Sequence, residues 1–274
     1  METKVLAGQR QSTGNFQAIP WGESIELEGG RIRLAPAGHI LGAAQLVVES
    51  AGGGRLVYTG DLNLRRRITT PAAEIVECDT LVIETTFSHP RYRWPSDEAS
   101  IAMLVEAVRQ AVSNGLRPIV VGYALGKSQE LAAILIRSGF RVGAEPSVKT
   151  FCDVYRQLGM DVGEVGPVGG GAQDLDVLVA SPSFVRGRRR NRGRDFIIWA
   201  SGWATDRSFR YRMGADEAIP FSDHADFDQL MEYVERANPS RVFTMHGTSE
   251  FARQLRRRGI EAEHLGRHQM SLFD

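Results

Sequence analysis

Two of the six histidines close predicted strands beside a glycine: His39 in GHILGAAQ and His246 in FTMHGTS. Asp61, in YTGDLN, ends a strand in the same way. Side chains converge above a sheet at strand ends, and small neighbours let a ligand approach. Imidazole with carboxylate is a donor set for zinc or manganese. Each of these positions alone reads first as a turn residue, but three in one chain point to a site. His224 stands apart, between Asp223 and Asp226 in IPFSDHADFDQL, just before a predicted helix. Ser222 or Asp223 could cap that helix with His224 in its first turn. Alternatively His224 is an acid or base facing a substrate anion, because imidazole titrates near neutral pH. Glu84 ends the strand in LVIETTF; a carboxylate there could orient an imidazole and keep it protonated. Alone, it is equally an ordinary charge at a strand end.

Two further stretches suit phosphate. In GYALGKSQELAA a strand passes into a helix through Gly126, with Lys127 and Ser128 at the helix start. Backbone N–H groups and a lysine there suit an anion. It is not a P-loop, since Val121 stands where that motif needs glycine. The stretch RGRRRNRGR contains Arg186, Arg188, Arg189 and Arg190. It suits a phosphate backbone, or else forms a solvated loop. His89, His264 and His268 share no consistent context and read as surface residues. Trp199 and Trp203 flank ASG and read as packing.

The elements that must position these residues change character along the chain. Up to about residue 95 the sequence predicts an antiparallel meander. SIELEGGRIRLAPA alternates around Gly29 and Gly30, and AQLVVESAGGGRLVYTGD around Gly52 to Gly54; both are hairpin signals. DTLVIETTF reads as a buried strand. After Pro95, apolar residues at Ile101, Leu104, Val105, Val108 and Val112 have helical spacing. Ser96 can cap that helix and Gly115 can end it. Strands and helices then alternate through RPIVVGY, KSQELAAILIRSG, FRVGAE, SVKTFCDVYRQLG, LDVLVAS and DFIIWAS. This is the pattern of a parallel sheet with helices packed on it. A helix near Asp226 to Ala237, a strand RVFTM, and a helix stopped by Gly259 complete the chain.

Composition sets bounds. The chain has 274 residues, is 42% hydrophobic and 24% charged, and has zero formal net charge, so overall charge favours no class of partner. Two cysteines are too few for a disulfide framework and fit a reducing cytoplasm. No apolar run approaches the roughly 20 residues of a membrane span.

Taken in order, these motifs resemble the metallo-β-lactamase-fold nucleases of the β-CASP group. GHILGAAQ is similar to that family's third metal motif and YTGD to its fourth. VIETTF is similar to motif A, FSDHAD to motif B and MHG to motif C. ALGKSQEL and ASGW are similar to the segments that open and close the β-CASP insertion. The SGW, SDHADFDQL and HG run is most like the subgroup of DNA-ligase-associated or mRNA 3′-end-processing exonucleases. The resemblance covers nearly the whole chain. It implies an α/β fold: an αββα-type domain over 1–95 and 204–274, with a β-CASP βαβ domain over 96–203 inserted. It also implies a metal-dependent nuclease, expected to be exonucleolytic, with His39, Asp61 and His246 as ligands to two zinc ions, manganese being an alternative. His224, oriented by Glu84, is then the general acid, and Asp61 bridges the metals. The implied partners are single-stranded RNA or DNA, a DNA ligase or RNA-processing enzyme, and a second copy of the chain. The implied location is the cytoplasm, with no membrane attachment.

One departure stands out. The family's His-x-His-x-Asp-His signature precedes the third motif, and here no histidine precedes His39. Four of the seven family ligands are therefore missing, and the first strands of the sheet with them, so weakened or lost activity is expected. Truncation of an intact nuclease and decay into a non-catalytic binding module are the two explanations. Retention of His39, Asp61, Glu84, His224 and His246 favours the first.

Overall fold

The structure is a computed structural model and describes residues 2–10, 18–168, 175–187 and 194–266. Two sheets organise it. The first has seven strands in the order β1-β2-β3-β4-β5-β12-β13. Strands β1 (Ser24–Leu27), β2 (Gly30–Pro36), β3 (Ala44–Ser50) and β4 (Arg55–Tyr58) form the antiparallel meander that the two glycine-rich turns predict. Strand β5 (Thr80–Glu84) then joins β4 in parallel. The chain returns to this sheet only with β12 (Arg241–Met245) and β13 (Glu261–His264), both parallel to β5.

Between them lies the second sheet, with six parallel strands: β6 (Arg117–Val121), β7 (Val142–Ala144), β8 (Gly166–Pro167), β9 (Val177–Ala180), β10 (Asp195–Ala200) and β11 (Glu217–Ile219). Its strands read as continuous apolar runs because both faces are covered. Helices α2 (Asp97–Ser113), α3 (Lys127–Arg137) and α4 (Pro146–Gln157) bury Leu104, Leu131 and Val148 in the core they share with it. The Ser96 hydroxyl caps α2 by accepting from the Ala99 N–H at 3.2 Å. The last strand of this sheet, β11, lies beyond residue 203, where the sequence pattern placed the end of the insertion.

Helices α7 (Phe227–Ala237) and α8 (Glu250–Arg257) pack on one face of the first sheet. There Val47, Val57, Leu81 and Ile83 form a core with Leu230, Tyr233 and Phe251. Register places Ile32 opposite Val48, Leu34 opposite Leu46, and Val82 opposite Phe243, so all six point to the other face. They are half-buried, and none belongs to a hydrophobic core cluster among the described residues. The first sheet thus has helices on one face and, among the described residues, a half-buried apolar row on the other.

Elements that the sequence pattern did not signal are short. They are α1 (Glu2–Arg10), α5 (Pro182–Gly187), α6 (Arg207–Arg212), β8, β11 and β13. No helix among the described residues is long and apolar enough to cross a membrane.

Candidate metal centre

The loops after β2, β4 and β5 meet the segment that leads into α7. Gly38 allows the first contact. A Cβ there would lie 2.0 Å from the Asn63 carbonyl oxygen, and its φ of +76° favours glycine. His39 is thereby brought beside Asp61, with Nε2 3.8 Å from Oδ2. The Asn63 amide reaches the Ser222 and His224 carbonyls, and the Ala225 N–H donates to the Leu62 carbonyl. These bonds bring His224 to the same place, its ring centroid 4.5 Å from that of His39. One donor atom each from His39, Asp61 and His224 lies within 4.8 Å of the other two.

Hydrogen bonds settle which nitrogens face the site. His39 Nδ1 is 3.1 Å from the Asp223 carbonyl. A carbonyl only accepts, so Nδ1 carries a proton, and Nε2 is the nitrogen that faces Asp61. A divalent cation between Nε2 and the Asp61 carboxylate would be bound by both. Two imidazoles and a carboxylate therefore fit a divalent metal with an open position. The converging donors suffice for one ion. The pair of ions that the sequence resemblance implies needs donors beyond them.

His224 Nδ1 lies 3.0 and 3.1 Å from the two Glu84 carboxylate oxygens, leaving Nε2 for chemistry. Glu84 is only 2% exposed and also accepts from the Leu62 N–H at 2.8 Å. Burial alone would lower the imidazole pKa. The Glu84 charge and hydrogen bond, with Asp223 and Asp61 adding, overcome this and raise it to about 9. Burial likewise opposes ionisation of Glu84, but the charge and hydrogen bond of His224 hold it below the usual carboxylate range.

Two expectations about caps and anions are corrected. The cap of α7 is Asp226, whose carboxylate accepts from the Gln229 N–H at 3.0 Å. His224 lies two residues ahead of that cap, outside the helix, so it is not a first-turn residue. Lys127 is buried and paired with Asp223 at 2.9 Å, so it is committed to a carboxylate rather than open to phosphate. Ser128 is fully buried at the start of α3. Arg186 is exposed on α5 and lines a cleft of about 510 Å³ that His39 also lines. Arg188, Arg189, Arg190 and His268 lie outside the described residues.

His246 directly follows β12, one residue beyond the Met245–Glu84 pair. It is exposed, has a φ of +60°, and is not among the converging donors. A left-handed non-glycine residue costs about 1–3 kcal/mol and persists where its surroundings impose it. Here the Thr85 hydroxyl holds the His246 carbonyl at 2.7 Å.

Sequence reasoning missed Asp223 and Asn63. Asp223 fixes the His39 tautomer through its carbonyl and anchors Lys127 through its carboxylate. The signal was present in SDH and DLN, polar residues directly beside the candidate ligands.

Residues 211–268, which include His224 and His246, match the family model described as "Zn-dependent metallo-hydrolase RNA specificity domain". A "Probable DNA ligase" of Opitutus terrae is 35% identical over 255 residues, covering 90% of this chain and 25% of that one. "DNA ligase 6" of Arabidopsis thaliana is 23% identical over 258 residues, covering 84% of this chain and 18% of that one. An "RNase J-like protein" of Methanocaldococcus jannaschii is 31% identical over 131 residues, covering 46% of this chain and 31% of that one. The two sheets, with imidazole and carboxylate donors gathered at their strand ends, fit the metallo-β-lactamase fold. The matched domain and these relatives support the β-CASP nucleases of that fold as the family of this chain. It spans less than a third of the length of each of these three relatives.

Proposed function

We propose that this chain carries a metal-dependent phosphodiester hydrolysis site acting on single-stranded RNA or DNA. The observation that carries the reading is the meeting of the His39–Asp61 pair and the Glu84–His224 pair at one point on the cleft. His39 and Asp61 would hold the ion, zinc or manganese. When bound, such an ion polarises a phosphodiester and acidifies a water. Asp223 fixes the tautomer in which His39 can serve as ligand. Glu84 fixes the His224 ring, so that Nε2 can donate a proton to the leaving oxygen. An imidazolium is a poor metal ligand, so the carboxylate behind His224 favours the acid role over a place in the donor set.

Three donors, one of them better suited to proton transfer, imply weak metal affinity and slow turnover. The names of the relatives support nucleic acid as substrate and a DNA ligase or RNA-processing enzyme as partner class. Exonucleolytic action in the cytoplasm remains part of this reading. The test is incubation of a labelled single-stranded oligonucleotide with the chain and added zinc or manganese. Slow shortening that chelator abolishes and that His224→Ala removes is the expected result. The incomplete donor set supports a second reading, a non-catalytic binding module. Salt-sensitive binding with no shortening at any metal concentration would establish that instead.

A further inference from the structure

Tyr123 follows β6 and Gly122 on the way to α3. Its side chain is not part of the donor set, and the sequence pattern gave no reason to single it out. A large aromatic residue that is 62% exposed is unusual in a loop held this tightly. The loop is fixed at both ends. The Tyr123 carbonyl accepts from the Ser128 N–H at 3.1 Å, and the Gly126 N–H donates to the Gln129 side chain at 2.7 Å. The ring has a cation beside it. Lys127 Nζ lies 5.2 Å from its centroid, and that lysine is itself buried and bound to Asp223. The cation–π contact and the hydrogen-bonded loop beneath the ring favour one placement of this exposed aromatic surface.

Its location gives the surface a use. Tyr123 lines the same cleft as His39, at the metal donors, and Ser183 and Arg186, on the facing helix. A strand lying in this cleft would meet His39, beside Asp61, and the cationic side chain of Arg186. The exposed Tyr123 ring lines the same space.

We infer that Tyr123 is a stacking platform for a base next to the phosphate that an ion at His39 and Asp61 would hold. Stacking on an aromatic ring tolerates any base, because every base has a π-face. The platform therefore favours unpaired strands over duplex, in which bases are already stacked on one another, without selecting sequence. This rests on the nucleic-acid reading above and narrows it to an unstacked single strand.

The experiment measures binding, in chelator and with the full chain, so that neither metal nor turnover enters. The probes are a fluorescent single-stranded oligothymidylate and a fully abasic strand of the same length. Tyr123→Phe should bind oligothymidylate within about twofold of the unsubstituted chain, and Tyr123→Ala about tenfold or more weakly. On the abasic strand all three should bind alike, because phosphate contacts are unchanged. Equal affinity of Tyr123→Ala and the unsubstituted chain for oligothymidylate would overturn the platform while leaving the nuclease reading intact. A loss that is equal on the abasic strand would also overturn it, since the substitution would then have damaged the cleft. No binding of either probe by the unsubstituted chain would overturn the platform, while the nuclease reading, which needs the ion, is judged by the cleavage test above.

Discussion

A carboxylate that is 2% exposed stays ionised only if its neighbours compensate for lost water. Glu84 does so with the His224 imidazole, the Thr86 side chain and the Leu62 N–H, and its pairing with His224 makes a pH-dependent contribution to folding. The His224 pKa is raised from 6.5 to about 9, so its contribution is complete below pH 6.5 and is lost as pH rises through about 9. Glu84 is lowered from 4.5, so its contribution is present above that value and is lost as pH falls through its folded pKa. In chelator-treated protein, Glu84→Gln should therefore lower the thermal midpoint most near pH 6. The gap from the unsubstituted chain should shrink by about pH 10, where His224 is neutral in both proteins. A gap of constant size across that range would mean that the two groups are not an ion pair. The types of these residues, and their places at strand ends, were legible in the sequence. Their pairing was not: Glu84 and His224 are 140 positions apart, and only folding joins them.

At the scale of elements, the start of α3 is where the two sheets are locked together. A Cβ on Gly126 would lie 2.0 Å from Ile40 Cγ2, and the residue has a φ of +88°. Gly126→Ala should thus combine overpacking and backbone strain and destabilise the protein by about 1–3 kcal/mol or more. Ile40 follows His39, so the same substitution should weaken metal binding; unchanged unfolding and metal affinity in the variant would contradict this account. The Glu130 carboxylate adds to the lock by accepting from the Ile68 and Thr69 N–H groups, each at 2.9 Å. The long helices and the hairpins were legible because period and capping agree, as at Ser96. Strand β13 was not: its sequence EAEH is three parts polar, and only Ala262 is buried. It is an edge strand held by β12 alone, so its pattern carries almost no core signal. The sequence also suggested the wrong cap for α7, because Ser222, Asp223 and Asp226 are all capping types and local pattern does not rank them.

For the whole molecule, the donor set draws on three loops that no single element holds, so a bound ion should stabilise the assembled fold. A ligand at about 100 times its dissociation constant adds about 2.7 kcal/mol to the folded state. Added zinc should raise the thermal midpoint of the unsubstituted chain, and Asp61→Asn or His39→Ala should abolish the rise. An equal rise in both variants would place the ion elsewhere. The two-sheet architecture was legible from the switch in pattern at Pro95.

The half-buried row of Ile32, Leu34, Leu46, Val48, Val82 and Phe243 also sets how the surrounding salt acts on the molecule. Salts that strengthen apolar burial, such as sulfate, should favour any contact that completes the covering of that row, and mild chaotropes should weaken it.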